Sequence, residues 1–414
     1  MTKPLDILFI TDALTEPLYG RRTRYFCDFF HRRGHNVRLI TERYKPLPFH
    51  DGFETIEIPY YIYTHGLPAK TEWAVKNILS FFFDYRNRFF SRKISELERT
   101  RHPDIVVVST FYTMGLRAAA RLAREHRIPF VVDLRDIAEQ CTVNTYERAS
   151  SATNPLARWM LHLYRAVNVG RRNRVLRRAD AVVGVTPWTV EVLKKYNNNT
   201  HLVYNGFDDK VFRFEAATTG KFKITYSGKW YGQEMQDPHL LFKALSLLKT
   251  TQPALYADIE MEWYTDPASH KPLLDMAARY SVAGCMSMHG YLPFAEVPAM
   301  LHRSSIQLVL TAPISANVLP TKLFEAIGVE KPVACVRCAP GALAHTIHSA
   351  HAGIATESAG ELAQFIADQH AIWKSHGFTH QHTDNNHYFS RSNQALRLEN
   401  IINEVINNYH LSNQ

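Results

Sequence analysis

The sequence predicts an α/β protein with two doubly wound parallel-sheet domains, because strands alternate with helices in two successive series. The first series has strand candidates at residues 5–10, 37–41, 105–109, 130–134 and 181–185. The second series has strand candidates at residues 224–227, 259–264, 286–289, 306–310 and 333–336. Most of these segments are apolar along their length, which is typical of strands that helices cover on both faces of a sheet.

The order of elements in the first series indicates parallel strands. Residues 22–33 form a helix candidate that ends at Gly34, a position where a positive φ is often required. The strand at residues 37–41 follows directly, and helix candidates at residues 115–126 and 188–196 repeat the pattern. Because a crossover through a helix joins parallel neighbours, the strands of this half are predicted to form one parallel sheet.

A second series of the same kind begins after Asn205 and Gly206. Residues 208–220 are predicted to be a linker, the polar tract at residues 375–387 a surface loop, and residues 391–409 a closing amphipathic helix. The helix candidates between the strands lie at residues 238–249, 271–280, 294–302 and 321–327. In doubly wound sheets, ligands bind at the carboxyl ends of the strands, so the functional site is expected there.

Composition and cysteine usage favour a cytoplasmic globular protein. The 414 residues are 46% hydrophobic and 21% charged, as in ordinary globular chains. The five cysteines are odd in number, and only Cys335 and Cys338 are close in sequence, which fits reduced, buried thiols. The first apolar run, residues 5–10, is too short for a signal peptide. The sequence contains no run of 18 apolar residues, so no transmembrane helix is predicted.

The net charge of +9 favours contact with an anionic surface. Residues 73–93 and 156–179 combine basic and apolar side chains, and the second stretch contains no acidic residue. Such a helix can lie on anionic lipid, and the alternative is a helix with its apolar face in the core and its charges in water. Peripheral association with the inner face of the cytoplasmic membrane is therefore one expectation. Nucleic-acid binding is not favoured, because no nucleic-acid motif accompanies the charge.

The strongest local motif begins at Pro320 and Thr321, which are typical of a helix start. Free N–H groups at a helix N-terminus bind anions, so this segment can hold a diphosphate. Lys322 would add a full positive charge, and Glu325, one turn later on the same side, could accept hydrogen bonds from ribose hydroxyls. The alternative is a capped surface helix with a Lys/Glu pair, which the spacing alone favours.

Five segments, in order along the chain, resemble the group 1 retaining glycosyltransferases of the GT-B fold, a large family with many bacterial surface-polysaccharide enzymes. The resemblance covers nearly the whole chain. Its segments are residues 8–11 with 33–37, 128–136, 179–186 with 203–208, 289–293, and 319–328 with 331–333.

This resemblance implies two Rossmann-like domains that face each other across a cleft. Residues 1–205 would be the acceptor-binding domain and residues 206–388 the nucleotide-sugar-binding domain. Residues 389–414 would form a helix that crosses back to the first domain.

The resemblance also implies the reaction. Family members transfer a sugar from a nucleoside-diphosphate sugar to a glycan or lipid-linked acceptor, with retention at the anomeric carbon. Basic side chains and a helix N-terminus stabilise the leaving diphosphate, so neither a metal nor another cofactor is expected. The leaving phosphate would itself take the proton of the acceptor.

Site residues carry over position by position. The catalytic positions are Asp136, Lys229, Lys322 and Glu325, with Asp136 as the acceptor-side carboxylate. For Asp136 the alternatives are a partner for Arg135 or a helix cap. The donor-binding positions are Gly20, Gly228, Lys229, Tyr291, Leu292, Asn317, Thr321, Lys322 and Glu325.

Several positions depart from the family pattern. Asn317 stands where members often have the first of two glutamates, and an amide can form hydrogen bonds but cannot act as a carboxylate. Gln236 stands where a second cation is expected, so the phosphate clamp would consist of Lys229 and Lys322. Arg21 or Arg22 is a candidate for an additional cation. Only Gly20 remains where many members have two glycines.

Two other functions remain open. A sugar-nucleotide epimerase or hydrolase on the same fold would convert the donor without an acceptor. A degenerate binding or scaffold subunit, suggested by Asn317 and Gln236, would bind nucleotide weakly and show no turnover. The histidines lack the pattern of a zinc enzyme and are predicted to be surface residues; they are His345, His348 and His351, and His380, His382 and His387.

Overall fold

The computed structural model describes residues 3–11, 21–43, 52–63, 65–110, 115–140, 155–382 and 385–412. The chain divides into two compact units. Unit 1 consists of Met1–Tyr204 and Gln394–Gln414, and unit 2 of Asn205–Asn393.

Unit 1 is built on a parallel sheet with the order β3-β2-β1-β4-β5-β6-β7 among the described residues. Its strands are β1 Asp6–Thr11, β2 Asn36–Arg43, β3 Glu54–Pro59, β4 Ile105–Thr110, β5 Phe130–Leu134, β6 Ala181–Gly184 and β7 Thr200–Leu202. Its helices before the linker are α1 Arg21–Arg32, α2 Gly66–Phe83, α3 Tyr85–Leu97, α4 Leu116–His126, α5 Pro155–Leu176 and α6 Pro187–Lys194.

Both faces of this sheet are buried. Successive side chains of a strand point to opposite faces, so an apolar strand contributes to the core on each side. In β1, Leu8 and Ile10 belong to one buried apolar cluster, whereas Ile7 and Phe9 belong to another. The second cluster also contains Ala395, Leu398 and Ile402 from the C-terminal part of the chain. The strands of this half therefore have apolar residues at consecutive positions because helices cover both faces of the sheet.

Unit 2 has a second parallel sheet, with the order β10-β9-β8-β11-β12-β13. Its strands are β8 Phe222–Ser227, β9 Ile259–Tyr264, β10 Met286–His289, β11 Ile306–Leu310, β12 Val333–Val336 and β13 Gly353–Thr356. Its helices are α7 His239–Thr251, α8 Pro253–Asp258, α9 His270–Ala278, α10 Val297–Arg303, α11 Thr321–Gly328, α12 Ala342–Ser349 and α13 Ala359–His376. Helix α14, Arg391–Ser412, begins in unit 2 and continues in unit 1.

The strand order of unit 2 reverses at β8, which has β9 on one side and β11 on the other. The connections on either side of this point leave in opposite directions, and a crevice opens at the carboxyl ends of the two strands. The residues that follow β8 and β11 are therefore the ones that this fold brings to a binding position.

The predicted fold class is confirmed, since both units have a doubly wound parallel sheet. The basic stretch at residues 73–93 is two helices, α2 and α3, because Asp84 between them adopts a left-handed conformation with φ 55°. After α13 ends at His376, residues 377–382 are loop as expected, and Asn386–Phe389 form a short 3₁₀ turn. None of the described helices is both long and apolar enough to cross a bilayer.

Candidate active site at the carboxyl edge of the second sheet

Gly228 follows the last residue of β8 and brings the backbone close to the start of α11. It has φ 113°, a region that side chains disfavour, and its N–H donates to the carbonyl oxygen of Tyr264 at 2.9 Å. A Cβ atom at this position would lie 3.4 Å from the Nζ atom of Lys322. The absence of a side chain at Gly228 therefore leaves Lys322 room at the switch point of the sheet.

Lys322 lies in the first turn of α11, directly after Thr321, and Pro320 precedes the helix in an extended conformation. Its Nζ atom lies 3.7 Å from the ring centroid of Tyr226, a buried side chain of β8. Burial lowers the pKa of Lys322 to about 7, and the nearby Glu325 carboxylate opposes this shift. Lys322 is thus held at the N-terminus of a helix with a charge that depends on pH near neutrality.

The loop after β8 is ordered by Gln236 and Tyr226. The Tyr226 hydroxyl donates to the carbonyl oxygen of Lys229 at 2.8 Å and lies 3.3 Å from the Oε1 atom of Gln236. The same Oε1 atom accepts the N–H of Tyr231 at 2.7 Å, and the Trp230 indole donates to the Gln236 carbonyl oxygen at 2.9 Å. Gln236 therefore orders the backbone of this loop. These contacts give a structural reason for a glutamine at a position where a cation was expected.

Two further cations lie at this edge of the sheet. Lys229 is exposed, with its Nζ atom 5.4 Å from the Tyr231 ring centroid. Arg337 comes directly after β12 with φ 57°, and its Nη1 atom lies 3.3 Å from the Oδ2 atom of Asp237. Sequence reasoning missed Arg337, although its place immediately after a buried parallel strand is a usable signal.

Asn317 has a structural contact. Its Oδ1 atom accepts the backbone N–H of Ala342 at 3.1 Å, at the first residue of α12. The side chain therefore satisfies one of the N–H groups that a helix start leaves without a partner inside the helix. The amide at this position links the approach to α11 with the start of α12.

The remaining donor-site candidates also belong to unit 2. Glu325 is half-buried on α11, and Thr321 is exposed at its start. Tyr291 is exposed and Leu292 half-buried in the segment after β10. Tyr291 is close enough to Tyr226 to act on it electrostatically, although burial is the main cause that raises the pKa of Tyr226.

Asp136, the predicted acceptor-side carboxylate, lies in unit 1, two residues after β5. Its side chain is accessible to solvent, yet the surrounding protein excludes enough water to raise its pKa to about 6, with Arg135 opposing the shift. Asp136 is therefore a mixture of its two protonation states near pH 6.

Arg22 requires a correction, because it does not supply the additional cation. It is buried in unit 1, where its guanidinium contacts Asp133, and its Nη2 atom donates to the carbonyl oxygen of Val203 at 3.0 Å. Asp133 also accepts a hydrogen bond from the Ser109 hydroxyl at 2.8 Å. This buried network explains why both charged residues are present. Gly20 and the side chain of Arg21 lie outside the described residues.

Comparison with known proteins relates the chain to glycosyltransferases. Residues 20–211 match the sequence profile of Glycosyltransferase Family 4. No curated protein sequence matches the chain significantly.

Several solved structures resemble the whole chain. A glycosyltransferase from Rickettsia africae has a TM-score of 0.64 at 13% identity and covers 98% of this chain and 99% of its own. Alr3699/HepE from Anabaena, in complex with UDP and glucose, has a TM-score of 0.59 at 12% identity, with 96% and 99% covered. The lipopolysaccharide outer core galactosyltransferase WaaB has a TM-score of 0.58 at 14% identity, with 99% of each chain covered.

Proposed function

Given a chain of GT-B fold whose residues 20–211 match Glycosyltransferase Family 4, we propose that the protein is a retaining glycosyltransferase. It transfers a sugar from a nucleoside-diphosphate sugar to a glycan or lipid-linked acceptor. The role that fits this reaction is bacterial surface polysaccharide assembly on the cytoplasmic side of the membrane. The similarity to WaaB, a lipopolysaccharide galactosyltransferase, supports that role.

The observation that carries the proposal is the position of Lys322. The Lys322 ammonium group lies at the N-terminus of α11 and next to Gly228, which has no side chain. All three features are at the point where the strand order of the parallel sheet reverses. This combination suits a diphosphate, because N–H groups and a cation both bind phosphate oxygens. The Anabaena relative holds UDP, which supports a nucleoside diphosphate as the ligand.

The chemistry follows from where charge develops. When the anomeric bond to the donor phosphate breaks, negative charge grows on the diphosphate, and Lys322 with the start of α11 stabilises it. Lys229 and Arg337 supply further positive charge at the same edge. With this many cations in place, we propose that transfer needs no metal at the diphosphate, and that the leaving phosphate takes the acceptor proton.

The other donor residues are assigned by their positions. Glu325, one turn beyond Lys322, accepts hydrogen bonds from the ribose hydroxyls. Tyr291 and Leu292, in the loop after β10, lie beside the base, and Thr321 offers a hydroxyl at the helix start. Asn317 contributes through the contact that positions α12. On the acceptor side, Asp136 orients or deprotonates the hydroxyl that attacks.

A lipid surface is the proposed site of action, and helix α2 supports this part of the proposal. None of its 18 residues is buried, although it carries large apolar side chains. The exposed ones include Leu67, Trp73, Ile78, Phe82 and Phe83. Helix α5 adds an exposed Trp159 and a Tyr164 that stacks on Phe81 at 5.5 Å. Exposed aromatic and basic residues on adjacent helices suit the interface of an anionic bilayer.

Thermal unfolding with a panel of nucleoside diphosphates and nucleotide sugars tests the donor assignment. A ligand at about 100 times its Kd adds about 2.7 kcal/mol of stability. This corresponds to a rise in Tm of roughly 5–10 °C for a unit of this size. We expect one nucleotide and its sugar to produce this rise in the wild type, and Lys322→Gln to remove it. Lys271→Gln, which alters an exposed lysine in the same unit, serves as the control.

Turnover separates the alternatives. With the donor identified, Glu325→Ala is expected to lower transfer by about 10- to 100-fold, the loss of one charge-assisted hydrogen bond. Conversion of the donor without an acceptor would instead indicate an epimerase or hydrolase. No Tm rise with any nucleotide would favour a scaffold subunit, and wild-type turnover in Glu325→Ala would overturn the donor-site assignment.

A further inference from the structure

A second cluster of polar side chains lies in unit 2, at the end of α11 opposite to Lys322. It consists of Glu330, His380 and His382, which each offer one ligand atom, and all these atoms lie within 4.8 Å of one another. Lys322 is in the first turn of α11 and Glu330 lies two residues beyond the end of this helix, which puts roughly 9 Å of helix axis between them. The cluster is therefore distinct from the proposed diphosphate site.

We propose that Glu330, His380 and His382 bind one divalent transition-metal ion of the zinc class. Two imidazole nitrogens and a carboxylate oxygen are a common protein ligand set for such an ion. The His382 Nδ1 atom lies 3.7 Å from the Glu330 Oε2 atom, and His380 contacts the same oxygen through Nε2. Because the three ligand atoms lie within 4.8 Å of one another, they can surround one ion, and a water molecule would complete a four-coordinate site.

The backbone around the cluster is already fixed. The Gln381 N–H donates to the Glu330 carbonyl oxygen at 2.8 Å, and the buried Lys331 donates to the Thr379 carbonyl oxygen at 3.1 Å. The Thr379 hydroxyl donates to the Ser305 carbonyl oxygen at 2.6 Å. Because both flanking residues of His380 are held, little conformational entropy is lost when the ion binds.

Neighbouring side chains orient the ligands. Asn386 donates to the second carboxylate oxygen of Glu330 at 3.3 Å, the kind of outer contact that positions a metal-binding carboxylate. The His380 ring lies 4.3 Å from the ring of Phe214, measured between centroids. Glu330 lines an open cavity of about 310 Å³, and both His380 and His382 are exposed, so an ion can reach the cluster from solvent.

A bound ion would link the segment between α13 and α14 to Glu330 after the end of α11. Glu330 follows α11, whereas both histidines belong to the segment that leads to the final helix. An ion bound by all three would tie this segment to the end of α11 and stabilise unit 2 by mass action. This inference does not depend on the proposed transfer reaction, and it revises the expectation that the histidines are only surface residues.

The test uses the full chain without a histidine tag, freed of metal by a chelator. We expect calorimetric titration with Zn²⁺ alone to give one saturable site per chain, and Tm to rise with Zn²⁺ concentration. Co²⁺ in its place should give the visible absorption of nitrogen-ligated cobalt. His382→Ala removes one ligand while it keeps the contact between Glu330 and His380, and should weaken Zn²⁺ binding by at least tenfold.

Matched variants make the result decisive. Glu330→Gln should weaken binding like His382→Ala, whereas His345→Ala, which removes an exposed histidine of α12, should bind Zn²⁺ as the wild type does. Equal Tm values of the metal-free proteins would show that the variants keep the fold. The inference is overturned by the absence of a saturable site in the wild type, or by binding in His382→Ala that equals the wild type.

Discussion

Lys322 illustrates how neighbours change the chemistry of a single residue. A lysine in water has a pKa of about 10.4. Here burial lowers the pKa to about 7, while the Tyr226 ring and Glu325 favour the charged form. The residue type was evident in the sequence, but its charge state follows from its burial and from the Glu325 carboxylate.

This shift predicts a pH dependence of donor binding. In the free protein Lys322 is protonated below about pH 7 and neutral above it. Since the diphosphate binds the protonated form, affinity should fall as pH rises above 7, by up to about tenfold per pH unit. Calorimetry with a nucleotide sugar between pH 6 and 9 measures this, because its diphosphate does not titrate in that range.

Lys322→Arg is the matched variant for this experiment. Arginine stays charged throughout the range, so its binding curve should be flatter than that of the wild type. If both proteins lose affinity in parallel, some other group titrates and Lys322 does not control binding.

The roles of Gln236 and Arg22, unlike that of Lys322, could not be inferred from the residue type. From the sequence, Gln236 was expected to leave the phosphate clamp without its second cation, and Arg21 or Arg22 was a candidate for an additional one. In the structure Gln236 orders the loop after β8, and Arg22 is buried against Asp133. Both roles depend on partners that the local sequence does not reveal.

At the scale of elements, the sequence predicted the long apolar strands and the helices whose ends are marked by proline or glycine. The start of α11 at Thr321 agrees with the expectation from Pro320. The elements that were missed are β3, β7, β13, α8, α12 and α13. Of these, β7 has three half-buried residues, and β13 has three half-buried residues and the buried polar Thr356, so neither has a distinct apolar pattern.

β13 also provides a prediction about stability. Gly353 has φ 146°, and a Cβ atom there would lie 2.1 Å from the carbonyl oxygen of Val333 in β12. Gly353→Ala must therefore displace the paired backbone, which should cost of order 3 kcal/mol. We expect the Tm of unit 2 to fall by roughly 6–12 °C in differential scanning calorimetry.

Gly220→Ala is the control for Gly353→Ala. A Cβ atom at Gly220 meets no atom within 4 Å, so this change should leave Tm nearly unaltered. An equal Tm for Gly353→Ala and the wild type would show that the edge strand relaxes without cost.

At the scale of the whole molecule, the net charge of +9 and the apolar surface of α2 predict membrane binding. The protein should sediment with vesicles that contain anionic lipid at low salt and be released at high salt, because salt screens the attraction. The double variant Trp73→Ala and Phe82→Ala should bind more weakly. Both side chains are exposed, so their loss should not disturb the fold.

Leu247→Ala, which removes an exposed apolar side chain from unit 2, should sediment as the wild type does. Binding that persists at high salt, or no binding at low salt, would contradict the prediction. Equal binding by the double variant would exclude α2 as the contact surface.

The sequence by itself determined the fold class, the positions of the apolar strands and the helix that carries Lys322 and Glu325. These features follow from local periodicity and from proline and glycine punctuation, which neighbouring residues encode. Only the tertiary structure decided the roles of Gln236 and Arg22, the contact of Arg337 with Asp237, and the convergence of Glu330 with two histidines. The contacts between Arg22 and Asp133 and between His380 and Glu330 span 111 and 50 residues. Each pair meets only after the parallel sheet of its own unit has assembled, and no local pattern records which distant partner a charged side chain will face.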